Sequence, residues 1–303
     1  MISRLSDLVE MARAKDEKTV TAVVEAHDEH TIASVVEATN EGIMRPILIG
    51  NVLKIREYIT KLGANHLDYE MISSDDAGGS LKYAVELVQT GDACALMKGN
   101  IETAKLLRAV LNERNDLITG GRLSLAGVFE TPNYHKLFAV SDIVVNAYPD
   151  FECKRAIVEN AVSMLAALGH SHPKVAVLAA IEKLNPRMPE TVDANALKVM
   201  NQEGRIKNCV IEGPISFDLA TSAEAAKIKE YDSPVAGDAD LLIVPDIAAG
   251  NLLAKCLTGM AGARTAGAVL GAKVPIVLTS RSALTSDKYY SIALAALLGK
   301  CRM

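Results

Sequence analysis

The sequence predicts an α/β protein with a largely parallel sheet. Short β-branched runs alternate with helical patterns along all 303 residues, and this alternation is typical of a layered α/β architecture. The strand candidates are apolar throughout instead of alternating with polar residues, which indicates a sheet covered by helices on both faces.

The individual elements follow from apolar runs for strands and from apolar positions three and four residues apart for helices. The first fifteen residues have the spacing of an amphipathic helix and not of a signal peptide. The predicted strands are Thr19–Glu25, Pro46–Gly50, Ala93–Met97, Ile143–Asn146, Lys174–Ala180, Cys209–Ile215, Leu241–Pro245 and Val274–Ser280. The predicted helices are Thr31–Asn40, Val52–Leu62, Gly79–Thr90, Ile101–Leu111, Cys153–Leu168, Glu190–Gln202, Asn251–Thr258 and Ser286–Leu298.

Two interruptions of this rhythm suggest domain boundaries, although no long Gly/Ser linker separates domains. Pro132 and Asn133 break the pattern within Glu130–Lys136, and Gly and Ala dominate Gly259–Gly271. We therefore expect a discontinuous first domain, residues 1–130 plus about 270–303, and a second domain of about residues 131–269.

Composition excludes several classes of function. Half of the residues are apolar, which excludes a disordered chain. The net charge of −5 and an aromatic content of 4% argue against nucleic-acid binding. No apolar run reaches the length that spans a bilayer. The five scattered cysteines (Cys94, Cys153, Cys209, Cys256 and Cys301) predict reduced thiols in a cytoplasmic protein.

Several well-known sequence motifs are incomplete or absent. Gly262–Gly267 has P-loop glycine spacing but lacks the Lys and Ser/Thr that hold phosphate and Mg²⁺. No GxGxxG follows a strand, and no GxSxG elbow is present. The pair His170 and His172 has no third ligand nearby, so we expect loop histidines and no bound metal.

The informative residues follow the strands, because ligands bind at the carboxyl ends of parallel strands. These positions are Lys98-Gly99, the Thr119–Arg122 turn, Gly213–Asp218, Pro245–Asn251 and Ser280–Ser282.

Three of these segments resemble motifs of the phosphate acetyl/butyryl transferase family, in the family's order and spacing. Ser280-Arg281 with Asp287 seven residues after the Ser is similar to its C-terminal signature. Gly213-Pro214-x-Ser-Phe-Asp resembles its GP…FDxA segment, and Gly237–Lys255 resembles its longest motif.

Smaller features within the family look more like the butyryl branch. These are Tyr134-His135-Lys136, the Ser141-Asp142 strand and the absence of a basic insertion before Lys98. Ile143 stands where some acetyl-transferring relatives have a Cys, so thiol-reagent sensitivity is not carried over to that site.

The resemblance implies an isocitrate/isopropylmalate-dehydrogenase-like fold, with two α/β domains and an interdomain cleft. It also implies a homo-oligomer that converts a short-chain acyl-CoA plus phosphate into acyl phosphate plus CoA. Butyryl-CoA is the favoured substrate, transfer is direct in a ternary complex, and no cofactor is needed beyond the substrate coenzyme A.

The chemistry of that reaction assigns roles to the signature. Arg281 can hold a phosphate dianion with its planar fork. Ser280 can hydrogen-bond the reacting carbonyl or sulfur, and Asp287 can take the thiol proton. An Asp in the first turn of a helix can instead simply stabilise the helix dipole.

The remaining candidates each keep two interpretations. Arg122 and Lys98 contact phosphate or CoA, or they belong to surface turns. Asp246 and Asn251 cap the following helix or, together with Gly250, line the ligand site. Lys255 binds CoA phosphates or lies on a solvated helix face.

Three other functions compete with this interpretation. A phosphate acetyltransferase of the same family differs only in acyl length, which no residue here determines. A metal-dependent decarboxylating dehydrogenase of the same fold would need an arginine-rich segment that is missing. A non-catalytic acyl-CoA-binding protein would not need Asp287 as a base.

Overall fold

The computed structural model describes residues 2–67, 69–119, 121–278 and 284–300, which form eleven strands and eleven α-helices. The strands are β1 Thr19–Val24, β2 Met44–Gly50, β3 Glu70–Ser73, β4 Ala95–Lys98, β5 Ser124–Glu130, β6 Phe138–Ser141, β7 Lys174–Leu178, β8 Val210–Ile215, β9 Leu241–Ile243, β10 Arg264–Leu270 and β11 Ile276–Val277. The helices are α1 Leu5–Arg13, α2 Glu29–Asn40, α3 Val52–Lys61, α4 Ala77–Thr90, α5 Thr103–Leu111, α6 Phe151–Ala167, α7 Pro189–Gln202, α8 Phe217–Thr221, α9 Ala223–Ile228, α10 Ile247–Gly259 and α11 Thr285–Leu298. Within these residues, no helix combines the length and apolar character needed to cross a membrane.

The chain divides into two compact units. Unit A contains Leu5–Gly121 and the C-terminal part from Ala266 onward. Unit B contains Arg122–Thr265 together with the first four residues. The domain limits expected from the sequence stay a prediction.

Unit A is built on strands in the order β3-β2-β1-β4-β11-β10. The first five run parallel, and β10 pairs antiparallel with β11. Every residue of β4 is buried, and in β1 only Val20 is partly exposed. Strands buried on both faces need helices on both sides of the sheet, which agrees with the α/β class predicted from the sequence.

Unit B has strands in the order β5-β6-β9-β7-β8. β6, β9, β7 and β8 are parallel, whereas β5 and β6 form an antiparallel hairpin. The carboxyl ends of the four parallel strands therefore lie at one edge of this sheet.

Helix starts are defined by polar side chains that accept a backbone N–H of the first turn. Each such cap contributes about 0.5–2 kcal/mol to stability. The capping residues are Asp28, Asn51, Asp76, Asp150, Ser222 and Asp246.

Three predicted elements need correction. Ile143–Asn146 is not a strand, because β6 ends at Ser141 and the backbone N–H groups that follow turn toward the Asp142 carboxylate. Asn251 is inside α10, which begins four residues earlier at Ile247. The predicted strand Val274–Ser280 is reduced to β11, and its last two residues lie outside the described part of the chain.

The two segments expected to interrupt the fold contribute to sheets. β10 lies inside Gly259–Gly271, where Ala266, Ala268 and Val269 are buried. Glu130–Lys136 contains the end of β5 and the connection to β6, within unit B. The Gly and Ala content of Gly259–Gly271 therefore does not mark a break in the sheet.

The expectation of reduced thiols was wrong for Cys94, which is disulfide-bonded. Cys153 and Cys209 are buried free thiols, and Cys256 is an exposed one. Spacing along the chain does not reveal which cysteines meet in space.

A charged network ties together the amino ends of the parallel strands of unit B. The Asp238 carboxylate accepts hydrogen bonds from Lys136 Nζ at 2.8 Å, Lys174 Nζ at 2.5 Å and His135 Nε2 at 2.8 Å. Burial would raise the pKa of Asp238, but these hydrogen bonds outweigh it and hold the pKa well below its ordinary value.

This network should make acid stability depend on Asp238. Asp238→Asn should lower the free energy of unfolding at pH 7 by about 1 kcal/mol, a modest value because the carboxylate is partly exposed and screened. The loss should be complete above about pH 4 and should shrink as the pH falls further, because the carboxylate of the unfolded chain then takes up a proton while the native carboxylate is still ionised. Urea unfolding at several pH values measures this loss of unfolding free energy. Glu86→Gln, in the exposed Lys82–Glu86 pair, is the control. A loss independent of pH would contradict the assignment.

Candidate active site

One group of candidate residues lies at the carboxyl edge of the unit A sheet, at β4. Lys98 is the last residue of β4 and is buried, with its Nζ 3.2 Å from the Gly99 carbonyl oxygen. A Cβ on Gly99 would lie 2.7 Å from the Val24 oxygen and would overlap the Glu25 carbonyl. The turn after β4 is thus held directly against the end of β1, and only glycine permits this approach.

Glu25, a residue without any sequence motif, lies beside this turn. Its buried carboxylate accepts a 2.5 Å hydrogen bond from Ser80 Oγ and lies 3.7 Å from His27 Nε2. His27 Nδ1 is buried and has no hydrogen-bond partner within the described residues. The carboxyl edge of unit A therefore carries acidic, basic and neutral polar groups, as a ligand site would.

Asp287 lies in the first turn of α11, the helix that follows β11. It is buried, and the helix has no side-chain N-cap. The Asp287 carbonyl accepts Ser291 Oγ at 2.7 Å, and that hydroxyl accepts the Gly267 N–H at 3.0 Å. The first turn is thus anchored to β10. Ser280 and Arg281, the other two signature residues, lie outside the described residues.

A second group of candidate residues lies around the loop after β6 in unit B, which is organised by the buried carboxylate of Asp142. Its Oδ1 accepts the N–H groups of Leu125, Val144 and Val145 at 3.0–3.1 Å. Its Oδ2 accepts Asn146 N at 2.8 Å and Asn146 Nδ2 at 2.6 Å. Five donors satisfy this carboxylate completely, so its role is to shape the loop.

Helix α10 packs its first turns against that loop. Asp246 Oδ1 caps the helix by accepting Ala249 N at 2.9 Å. Asn251 Nδ2 lies 3.3 Å from the Ile143 carbonyl oxygen. A Cβ atom added to Gly250 would lie 2.6 Å from the backbone carbonyl oxygen of Asp142. Lys255 is exposed on the helix surface.

Arg122 lies next to the same region of unit B. Its side chain is exposed, and its carbonyl accepts Asn160 Nδ2 at 2.7 Å. Burial raises the pKa of the Cys153 thiol, while the Arg122 guanidinium opposes the rise. Arg122 therefore supplies positive charge near the start of α6.

The GPISFD segment ends in a polar network that sequence spacing does not reveal. Ser216 Oγ donates to Glu182 Oε1 at 2.7 Å, and Lys229 Nζ bridges Glu182 at 3.2 Å and Asp218 at 3.0 Å. Hydrogen bonds from Ser216 and Lys229 lower the pKa of Asp218 to about 2. This network fixes the loop beyond β8.

The arrangement groups the sequence candidates by unit. In unit A, Lys98 and Asp287 lie on neighbouring elements, since α11 packs against β4. In unit B, Asp246, Gly250 and Asn251 surround the Asp142 loop. Within the described residues, no group of three His, Cys, Asp or Glu side chains is arranged to hold a metal ion.

Comparison with known proteins defines the family. The model described as "Phosphate acetyl/butaryl transferase" matches residues 69–296. The chain is 39% identical to the phosphate butyryltransferase of Clostridium acetobutylicum, over 98% of this chain and 99% of that protein. It is 42% identical to the phosphate acetyltransferase of Thermotoga maritima, over 97% and 99% of the two chains.

A solved structure shows the same fold. It is a branched-chain phosphotransacylase from Enterococcus faecalis, with a TM-score of 0.80 and 32% identity over 92% of this chain and 98% of that one. The chain belongs to the phosphate acetyl/butyryl transferase family, and the protein is an acyltransferase. The family resemblance predicted from the three motifs is confirmed.

The contact between α10 and the Asp142 loop yields a test of packing. Gly250→Ala should destabilise the protein by about 1–3 kcal/mol, because the methyl group meets backbone atoms that cannot rotate away. Gly259→Ala at the end of the same helix has open space around the new methyl group and should be neutral or stabilising, by up to about 1 kcal/mol. Thermal unfolding of both variants measures the difference, and equal effects would refute the packing role.

Proposed function

We propose that the protein transfers a short acyl group reversibly between coenzyme A and phosphate, with butyryl-CoA as the favoured substrate. The observation that carries this proposal is the buried carboxylate of Asp287, at the helix start that the family signature places beside its Ser-Arg pair. The isocitrate-dehydrogenase-like architecture, the domain limits and the homo-oligomeric state remain proposals of the same kind.

In the proposed mechanism, acyl phosphate and CoA are bound together and react directly. Asp287 accepts the thiol proton, and the sulfur attacks the carbonyl carbon. The bond between that carbon and the phosphate oxygen breaks, and phosphate leaves with the electron pair. Arg281 would hold the phosphate, and Ser280 would donate to the carbonyl oxygen as charge develops there. Orientation of two bound substrates would supply much of the rate.

The proposed butyryl preference is based on similarity to relatives and not on the structure of an acyl-binding pocket. Relatives named for butyryl and for acetyl transfer are similarly close. Tyr134, His135 and Lys136, which suggested the butyryl branch, contact Ala239 and Asp238 at the amino ends of the unit B strands. They lie at the opposite end from the carboxyl edge, so they do not themselves select the acyl chain.

The proposed reaction needs phosphate and no cofactor beyond coenzyme A. A chelator-treated sample should release CoA from butyryl-CoA when phosphate is added, at an undiminished rate. Thiol release followed with acetyl-, propionyl-, butyryl- and isobutyryl-CoA would rank the acyl chains. Activity lost on chelation and restored by Mg²⁺, or turnover that needs NAD or NADP, would favour the dehydrogenase instead. If no CoA is released from any of these esters, the remaining interpretation is a non-catalytic acyl-CoA-binding protein.

A second test concerns Asp287 as the base. Asp287→Asn keeps the shape of the side chain and should lower kcat by about 10²–10⁴-fold in the direction that consumes CoA. Raising the pH toward the thiol pKa of about 8.5 should partly restore the rate, because thiolate then forms without the base. Asp76→Asn, at the exposed cap of α4, is the matched control. Near-normal kcat at pH 7 for a folded Asp287→Asn protein would remove Asp287 from catalysis.

A further inference from the structure

Ser291, one turn after Asp287 in α11, joins this helix to the sheet of unit A. The residue is buried, with 3% of its surface exposed. Its Oγ donates to the Asp287 carbonyl oxygen at 2.7 Å and accepts the Gly267 N–H of β10 at 3.0 Å. The hydroxyl therefore acts as donor and acceptor at once, toward the first turn of the helix and toward a strand.

This double use sets Ser291 apart from an ordinary helical serine, which bonds only to a carbonyl of the preceding turn. Ser34 of α2 is buried in the same way, and its Oγ lies 3.1 and 2.9 Å from the carbonyl oxygens of His30 and Thr31. At Ser291 a backbone N–H of a strand also depends on the hydroxyl. A polar group that loses its partner inside the protein is costly, so the sheet as well as the helix fixes where Ser291 lies.

The strand that donates to Ser291 is itself held within the sheet. β10 pairs antiparallel with β11 at Val269 and Ile276. β11 in turn pairs with β4, which ends at Lys98. A continuous set of backbone pairs and one side-chain hydroxyl thus connects the strand of Lys98 with the helix turn that carries Asp287.

We propose that Ser291 is a positioning residue for the acyl-transfer step, an inference that rests on the proposed function. A base must lie within hydrogen-bond reach of the proton that it accepts. The first turn of α11 carries the proposed base, Asp287, and has no side-chain N-cap. The Ser291 hydroxyl holds this turn against β10 instead. A displacement of about 1 Å at such a group is enough to slow a reaction strongly.

The first measurement compares two substitutions of buried helical serines. Ser291→Ala should lower kcat for butyryl phosphate plus CoA by about 10- to 100-fold. Both KM values should stay nearly unchanged, because no proposed substrate contact is removed. Ser34→Ala is the matched control and should leave kcat nearly unchanged. Ser291→Cys, which keeps the shape but bonds weakly, repeats the test if Ser291→Ala does not fold.

The second measurement separates positioning from a general loss of stability. In a protein that already carries Asp287→Asn, adding Ser291→Ala should lower kcat by no more than about 2-fold, because no base is left to misplace. Raising the pH toward about 8.5 should shrink the deficit of the single Ser291→Ala variant, because thiolate then forms without the base. A structural role would lower kcat by the same factor in both backgrounds and at both pH values.

The possible results lead to different conclusions. Equal factors in the two backgrounds, or equal losses from Ser291→Ala and Ser34→Ala, would overturn the inference and leave Ser291 with a packing role. Near-normal kcat for Asp287→Asn would also overturn it, while the reaction of the wild type would stand. A wild type without phosphate-dependent CoA release would reject the proposed function, and the inference with it.

Discussion

The rest of the structure depends on one constraint, which is that parallel strands buried on both faces leave charged groups room only at their ends. β4 is apolar and buried until Lys98, and the last three residues of β1, Ala22–Val24, are apolar and buried before Glu25. Each charge at such an end must find a partner, because water is largely excluded there. The carboxyl ends thus concentrate groups whose partners are either protein atoms or a ligand, and this concentration makes the edge chemically useful.

At these strand ends, the hydrogen-bond partners of a charged group distinguish a structural role from a functional one. The Asp142 carboxylate receives five N–H groups and holds its own loop in place. Glu25 is satisfied in part by Ser80. His27 Nδ1, close to Glu25, is buried and has no hydrogen-bond partner among the described residues. Burial alone therefore says little about function, because a buried charge such as that of Asp142 can be satisfied entirely by the protein.

The sequence predicted best those elements whose pattern is local. Apolar runs such as Leu241–Ile243 and capped helices such as α4 could be predicted directly from the sequence. β10 was missed because Gly and Ala carry no strand signal, although it pairs with β11 and its Gly267 N–H donates to Ser291 Oγ of α11. At the site, the spacing from Ser280 singled out Asp287. Glu25 was missed because its significance comes from burial and from its contacts with Ser80 and His27, which no linear pattern records.

The net charge of the protein has the same sign as the charge of the proposed substrates. A net charge of −5 repels phosphate and coenzyme A at long range. At physiological ionic strength that repulsion is screened beyond about 8 Å, so it is weak for an approaching substrate. A buried cation such as Lys98 is screened much less, and its attraction strengthens as the ligand displaces water. An acidic protein can therefore hold polyanionic substrates with a few lysines, provided that the fold keeps those lysines out of solvent before the substrate arrives.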